Sequence, residues 1–161
     1  MSLAAFLSRF RELHRKDAAG SLSAGEREEY RSGRDELARA LLAVQRLSLK
    51  PGETARQSLR VARALQVDLE WPKGKVRSVT LDLSAGGFAT LMAKAPSQSD
   101  DVECVFRLPG GDEMKARARV VNIQVQGAAV RVAFAFQKLP EEDRARLERV
   151  VFDTVLAQLG P

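Results

Sequence analysis

Val76-Arg77-Ser78-Val79-Thr80-Leu81-Asp82-Leu83-Ser84-Ala85-Gly86-Gly87 is the stretch from which the rest of the chain can be read. Side chains of a β-strand point alternately to its two faces. Alternation here predicts a strand with Leu81 and Leu83 facing a core, and with Thr80, Asp82 and Ser84 on the opposite, outer face. A carboxylate and a hydroxyl then stand side by side at the strand end. Gly86-Gly87 closes the strand where positive φ or close backbone approach comes easily, and Phe88 resumes the alternation. Taken alone, such a cluster of Asp, Ser and Gly reads as a turn.

The surrounding pattern extends that strand into a sheet. Strands are expected over Ala64 to Trp71, Val76 to Ser84, Phe88 to Ala93, Val102 to Leu108, Glu113 to Gln126 and Ala129 to Gln137. The turns between them are marked by Pro72-Lys73-Gly74, Gly86-Gly87, a polar loop around Ala95 to Asp101, and Pro109-Gly110-Gly111-Asp112. Six short, mostly antiparallel strands read as a closed or nearly closed barrel, because closure removes exposed strand edges. Leu139-Pro140 opens a last helix, with Pro140 near its first position and Glu141, Glu142 and Asp143 complementing the positive end of its dipole.

Upstream of the barrel the periodicity changes to that of helices. Leu3, Phe6, Leu7, Phe10 and Leu13 or His14 recur at three- and four-residue steps and predict a helix from Ser2 to about Asp17. Ala18-Ala19-Gly20 breaks it, and Ser23 with Glu26 forms a capping box for a second helix reaching about Leu47, with Gly33 as an interior weak point. The hairpin has too little core to stand alone. It must pack on the following domain or on a second copy of itself, as a partner-docking arm, a dimerisation element or a cap over the barrel. Pro51-Gly52 marks the boundary, giving a helical extension over 1–50 and a barrel domain over 51–161.

Just past that boundary lies Arg56-Gln57-Ser58-Leu59-Arg60, two arginines four apart in a linker expected to be mobile. Arg-x-x-x-Arg in a linker, a strand, and then Asp-x-Ser-x-x-Gly closing the next strand resemble the PilZ family of bacterial cyclic di-GMP receptors. The resemblance covers Thr54 to Phe152. It implies a mainly β fold, a six-stranded antiparallel barrel with a C-terminal helix, here preceded by the helical hairpin. It also implies Arg56 and Arg60 as the first binding motif and Asp82, Ser84 and Gly87 as the second, with Gly86 beside them, and an arginine loop that folds over the barrel when cyclic di-GMP arrives. The residue before the first arginine bears on ligand stoichiometry in that family; Ala55 stands there, which leans towards one molecule per site.

The residue types suit that ligand. Arginine forks pair with phosphate or with O6 and N7 of guanine. A carboxylate accepts from the N1–H and amino group of guanine, an edge that adenine does not present, so Asp82 would discriminate between bases. Ser84 would support a guanine or phosphate, and Gly86-Gly87 would leave the backbone open to close approach.

Other function classes find little. The chain of 161 residues has 45% apolar residues and a net charge of +5, enough for one domain with an accessory element and suited to an anionic partner. Cys104, the single cysteine, falls on the apolar side of a strand and reads as a small buried hydrophobe, with a reducing cytoplasm as the default location. His14, the single histidine, reads as a surface or interface residue. No Cys or His set has metal-ligand spacing, no phosphate-cradling glycine motif occurs, and no run approaches the ~18 apolar residues of a membrane span. The expectation is thus a protein without catalytic residues, metal or cofactor. A basic barrel could also engage nucleic acid through Lys115, Arg117 and Arg119, but aromatics for base stacking are assigned to the core and the row reads as a solvated face. The functional expectation is an effector that passes cyclic di-GMP binding to a protein partner through its helices, in motility or biofilm and surface-attachment control. Its alternative is a PilZ-like adaptor that binds no nucleotide.

Overall fold

The computed structural model of the chain describes residues 2–47 and 58–160. The chain divides into two compact units, Met1–Arg56 and Gln57–Pro161.

The first unit is a helical hairpin of α1 (Leu3–Ala19) and α2 (Ala24–Leu47). Ser2 caps α1 by accepting a hydrogen bond from the Ala5 N–H, and Gly20 ends it at φ 70°, a left-handed conformation open to glycine. The predicted capping box opens α2: the Glu26 N–H donates to Ser23 Oγ at 3.2 Å and the Ser23 N–H donates to Glu26 Oε1 at 3.0 Å. Phe10, Leu13 and His14 of α1 are buried, as are Tyr30, Gly33 and Leu37 of α2. Gly33 is more than a weak point in a helix, since a Cβ there would lie 3.1 Å from Phe10 Cδ2 and the bare backbone admits that ring. Of the surface and interface places expected for His14, the structure gives it the interface between α1 and α2. His14 is 6% exposed, with Nδ1 2.6 Å from the Tyr30 hydroxyl. Burial requires a polar ring atom to find a partner, and a tyrosine on the facing helix supplies it.

The second unit is a closed antiparallel barrel followed by a helix. Its strands are β1 (Gln66–Trp71), β2 (Gly74–Leu83), β3 (Gly87–Met92), β4 (Asp101–Arg107), β5 (Glu113–Gln126) and β6 (Ala129–Gln137), in the order β1-β2-β3-β6-β5-β4 around the barrel. The interior is apolar and aromatic: Phe88 stacks on Phe134 at 4.7 Å between ring centroids and meets Phe106 edge-on at 4.9 Å. Cys104 is buried in this core, which pushes its thiol up to about 12 and leaves it inert, as its alternation predicts. α3 (Glu141–Gln158) contributes Leu147 and Val150 to the same cluster.

The strand that anchored the sequence reading carries a correction. On β2 it is Thr80 that is buried, at 2%, whereas Val79 is 52% and Leu81 39% exposed. The cause is a shift of register between Thr80 and Asp82 in the pairing of β2 with β3. One extra residue in the strand reverses the parity of the alternation. Leu83 therefore reaches the core while Leu81 and Asp82 both fall outside it. The buried Thr80 hydroxyl is satisfied, donating to Arg63 O and accepting from the Leu65 N–H.

Candidate functional site

The segment before β1 is bonded along β2. Val61 exchanges both backbone hydrogen bonds with Leu83 at 2.9 Å, and Leu59 and Val61 are buried. Within the described residues the segment after the linker is thus tied to β2 at one point, the isolated bridge of Val61 to Leu83. Arg56 lies outside the described residues.

This pairing lays Arg60 beside Asp82. Arg60 Nη1 stands 3.4 Å from Asp82 Oδ1, with the two side chains 23% and 14% exposed. On the other carboxylate oxygen lies a residue that the sequence reading passed over: Arg131 of β6 donates from Nη2 to Asp82 Oδ2 at 2.9 Å. Register explains the meeting. Asp82 pairs with Ala89 on β3 and Ala89 with Ala133 on β6, so Arg131, two residues from Ala133, is on the same outer face one step along the strand. Ala89 and Ala133 are too short to stand in the way. The available signal was the alternation of β6, which places Val132 and Phe134 inside and Arg131 outside; nothing in it names Asp82 as the partner.

Ser84, Gly86 and Gly87 are drawn together in the turn from β2 to β3. Ser84 is 2% exposed, and its Oγ accepts from the Gly86 and Gly87 N–H groups at 3.1 Å each. The Gly87 carbonyl accepts from the Ser84 N–H at 2.9 Å. Gly86 O accepts from the Phe136 N–H at 2.9 Å, tying the turn to β6. A Cβ on Gly87 would collide with Phe134 O, so bare backbone is needed there for β3 to approach β6. At Gly86 a Cβ would meet Ser58 Oγ of the linker at 3.3 Å. The close approach that the glycines permit is thus to their own protein.

Chemically, the cluster is one carboxylate between two guanidiniums, part-buried on the outer wall of the barrel. It carries an excess positive charge and fixes the orientation of an acceptor. Asp82 Oδ1 is shielded from solvent and accepts no hydrogen bond, with Arg60 as its ionic neighbour. An anion can engage the arginines, and a planar donor pair can engage the carboxylate once Arg60 moves aside. Around the barrel, the two arginines in the basic row of β5 are matched by acids: Arg117 lies 3.8 Å from Glu103 and Arg119 3.3 Å from Asp101. Among the described residues no group of three or more His, Cys, Asp or Glu is placed to hold a metal ion, and no helix is long and apolar enough to cross a membrane.

The PilZ domain family model matches residues 54–153 of the chain. No curated protein matches it. Among solved structures, the Bacillus subtilis inhibitor of motility MotI/DgrA is 20% identical with a TM-score of 0.60, over 68% of this chain and 58% of that one. Escherichia coli YcgR, solved in complex with c-di-GMP, is 16% identical with a TM-score of 0.57, over 65% and 47%. MrkH from K. pneumonia, in a c-di-GMP complex, is 20% identical with a TM-score of 0.55, over 66% and 55%. At these identities the likeness is one of fold, and this chain spans about half the length of these three proteins.

Proposed function

This chain belongs to the PilZ domain family, a family of cyclic di-GMP receptors, and we propose that it is itself a cyclic di-GMP-binding effector, without catalytic activity, that conveys ligand binding to a protein partner. The observation that carries the reading is Asp82 held at the outer barrel wall between Arg60 and Arg131. Arg60 and Arg56 engage the phosphates or the guanine O6 and N7 edge, and Asp82 accepts from N1–H and the exocyclic amine of a guanine. Ser84, Gly86 and Gly87 shape the turn that sets Asp82 at the rim. Ser84 thereby acts on the ligand through the backbone it orders. Ala55 before the first arginine favours one ligand per site.

The process proposed is motility or surface-attachment control, in the cytoplasm, with the helices as the surface that meets the partner or a second copy of the chain. The fold likeness to an inhibitor of motility supports that direction. Calorimetric titration of cyclic di-GMP into the wild type and into Arg60→Ala tests the function. Saturable binding that the variant loses is the expected result. No heat and no thermal shift at high ligand would overturn it in favour of a ligand-free adaptor.

A further inference from the structure

We propose that Arg131, outside both binding motifs, is the positioning residue that holds the Asp82 carboxylate in its base-reading orientation while Arg60 transfers from Asp82 to the ligand. The inference rests on the cyclic di-GMP reading of this site.

Three observations lead to it. First, the two arginines divide the carboxylate between them: Arg60 takes Oδ1 at 3.4 Å and Arg131 takes Oδ2 at 2.9 Å. Second, the contacts differ in kind. That of Arg131 is a charge-assisted hydrogen bond with good geometry, whereas Asp82 Oδ1 accepts no hydrogen bond although it is hidden from solvent. A hidden carboxylate oxygen left without a donor is costly, and a donor that replaces the loose ionic contact with a hydrogen bond recovers that cost. Third, the arginines come from elements of different rigidity. Arg131 sits inside β6, paired on both sides, opposite Leu91 of β3 and Gln124 of β5. Arg60 sits on the segment before β1, joined to β2 at Val61 by an isolated bridge.

The exchange follows from these differences. Cyclic di-GMP brings both phosphates and guanine donors. Arg60 leaves Oδ1 for the ligand, and the guanine N1–H and amine take its place on the carboxylate. Arg131 stays on Oδ2, held there by its hydrogen bond from a backbone position that two ladders fix in place. Without it Asp82 would face a base with its other oxygen unheld, free to turn about χ1 and χ2, and the loss would fall on recognition of the base edge rather than on attraction of the phosphates. Each carboxylate oxygen accepts more than one hydrogen bond, so Arg131 and the base do not compete.

The test is calorimetric titration of cyclic di-GMP and of cyclic di-AMP into the wild type, Arg131→Ala, Arg131→Lys and Arg60→Ala, with thermal melting of each protein. The expected result is at least about a tenfold loss of cyclic di-GMP affinity in Arg131→Ala, a smaller loss for cyclic di-AMP, and partial rescue in Arg131→Lys. Arg60→Ala should weaken both ligands. Wild-type affinity for cyclic di-GMP in a folded Arg131→Ala overturns the inference and leaves the receptor reading standing. Equal losses for the two dinucleotides also overturn it, since they would make Arg131 a plain phosphate contact. If Arg131→Ala melts below the assay temperature, Arg131→Met, which keeps an apolar stem of similar length and has no donor, carries the same comparison. A wild type that binds neither dinucleotide removes the receptor reading and this inference with it.

Discussion

At the residue scale, the proposed binding motif is also a piece of architecture, and the two roles separate by substitution. Gly87 has no room for a side chain, because Phe134 O occupies the space where a Cβ would stand. Gly87→Ala is expected to destabilise the barrel by about 1–3 kcal/mol, the range for overpacking, seen as a lower midpoint in urea unfolding. Ser84→Ala removes the acceptor of the buried Gly87 N–H and of the part-buried Gly86 N–H and should cost about 1–3 kcal/mol. A loss of ligand binding in either variant thus reports the turn, while a loss in Arg60→Ala reports the contact. Thr90 runs the other way. Its hydroxyl is fully buried in the barrel without a hydrogen-bond partner, so Thr90→Val, of nearly the same shape, should stabilise by about 1 kcal/mol in the same assay. Wild-type or lower stability in that variant would show that the hydroxyl has a partner such as a buried water.

At the scale of elements, β2 shows how one inserted residue redistributes a pattern. Leu81 and Leu83 look equivalent in the sequence, yet the first is 39% exposed and the second 0%. Leu83→Ala should therefore cost about 2–5 kcal/mol, whereas Leu81→Ser should stay within about 0.5 kcal/mol. Similar losses in both would mean that the register shift does not place Leu81 outside. In the hairpin the sensitive point is the start of α2. The Lys16 ammonium and the Ser23 N–H hold the Glu26 carboxyl at about 2, against its ordinary 4.5. A depressed carboxylate value gives stability that is present above 4.5 and lost as pH falls towards 2. The helical melting difference between wild type and Glu26→Gln should accordingly shrink over that acid range, and a constant difference would argue against the capping role.

At the scale of the whole molecule, the barrel carries its core within itself, from Leu65 to Val150. A chain starting at Pro51 should melt cooperatively and keep the cyclic di-GMP affinity of the full protein, checked by circular dichroism and calorimetry. Unfolding of that fragment would show that the hairpin is part of the barrel's stability. Preserved binding with loss of a partner's response would assign the hairpin to transmission.

What the sequence determined by itself is everything governed by local rules. The capping box of Ser23 and Glu26, the hairpins around Pro72-Lys73 and Pro109 to Asp112, the spans of β5 and β6, and the α3 start after Pro140 were legible because propensity, periodicity and turn chemistry act over a few residues. The two motifs were legible as a pattern of residue types, of which the structure brings Arg60 beside Asp82 while Arg56 lies outside the described residues. The tertiary structure alone decided the parity of β2, since a bulge is a property of two strands in register and leaves the order of residues in either one unremarkable. It alone brought Arg131 to Asp82, 49 residues apart, across a third strand whose Ala89 leaves the diagonal open. It alone buried His14 against Tyr30 and turned Ser84 inward to its own turn. Side chains of these kinds are polar and near the surface in any one-dimensional reading. Whether they meet solvent, a ligand or one another is set by which backbone passes over them, and that is fixed only when the barrel closes.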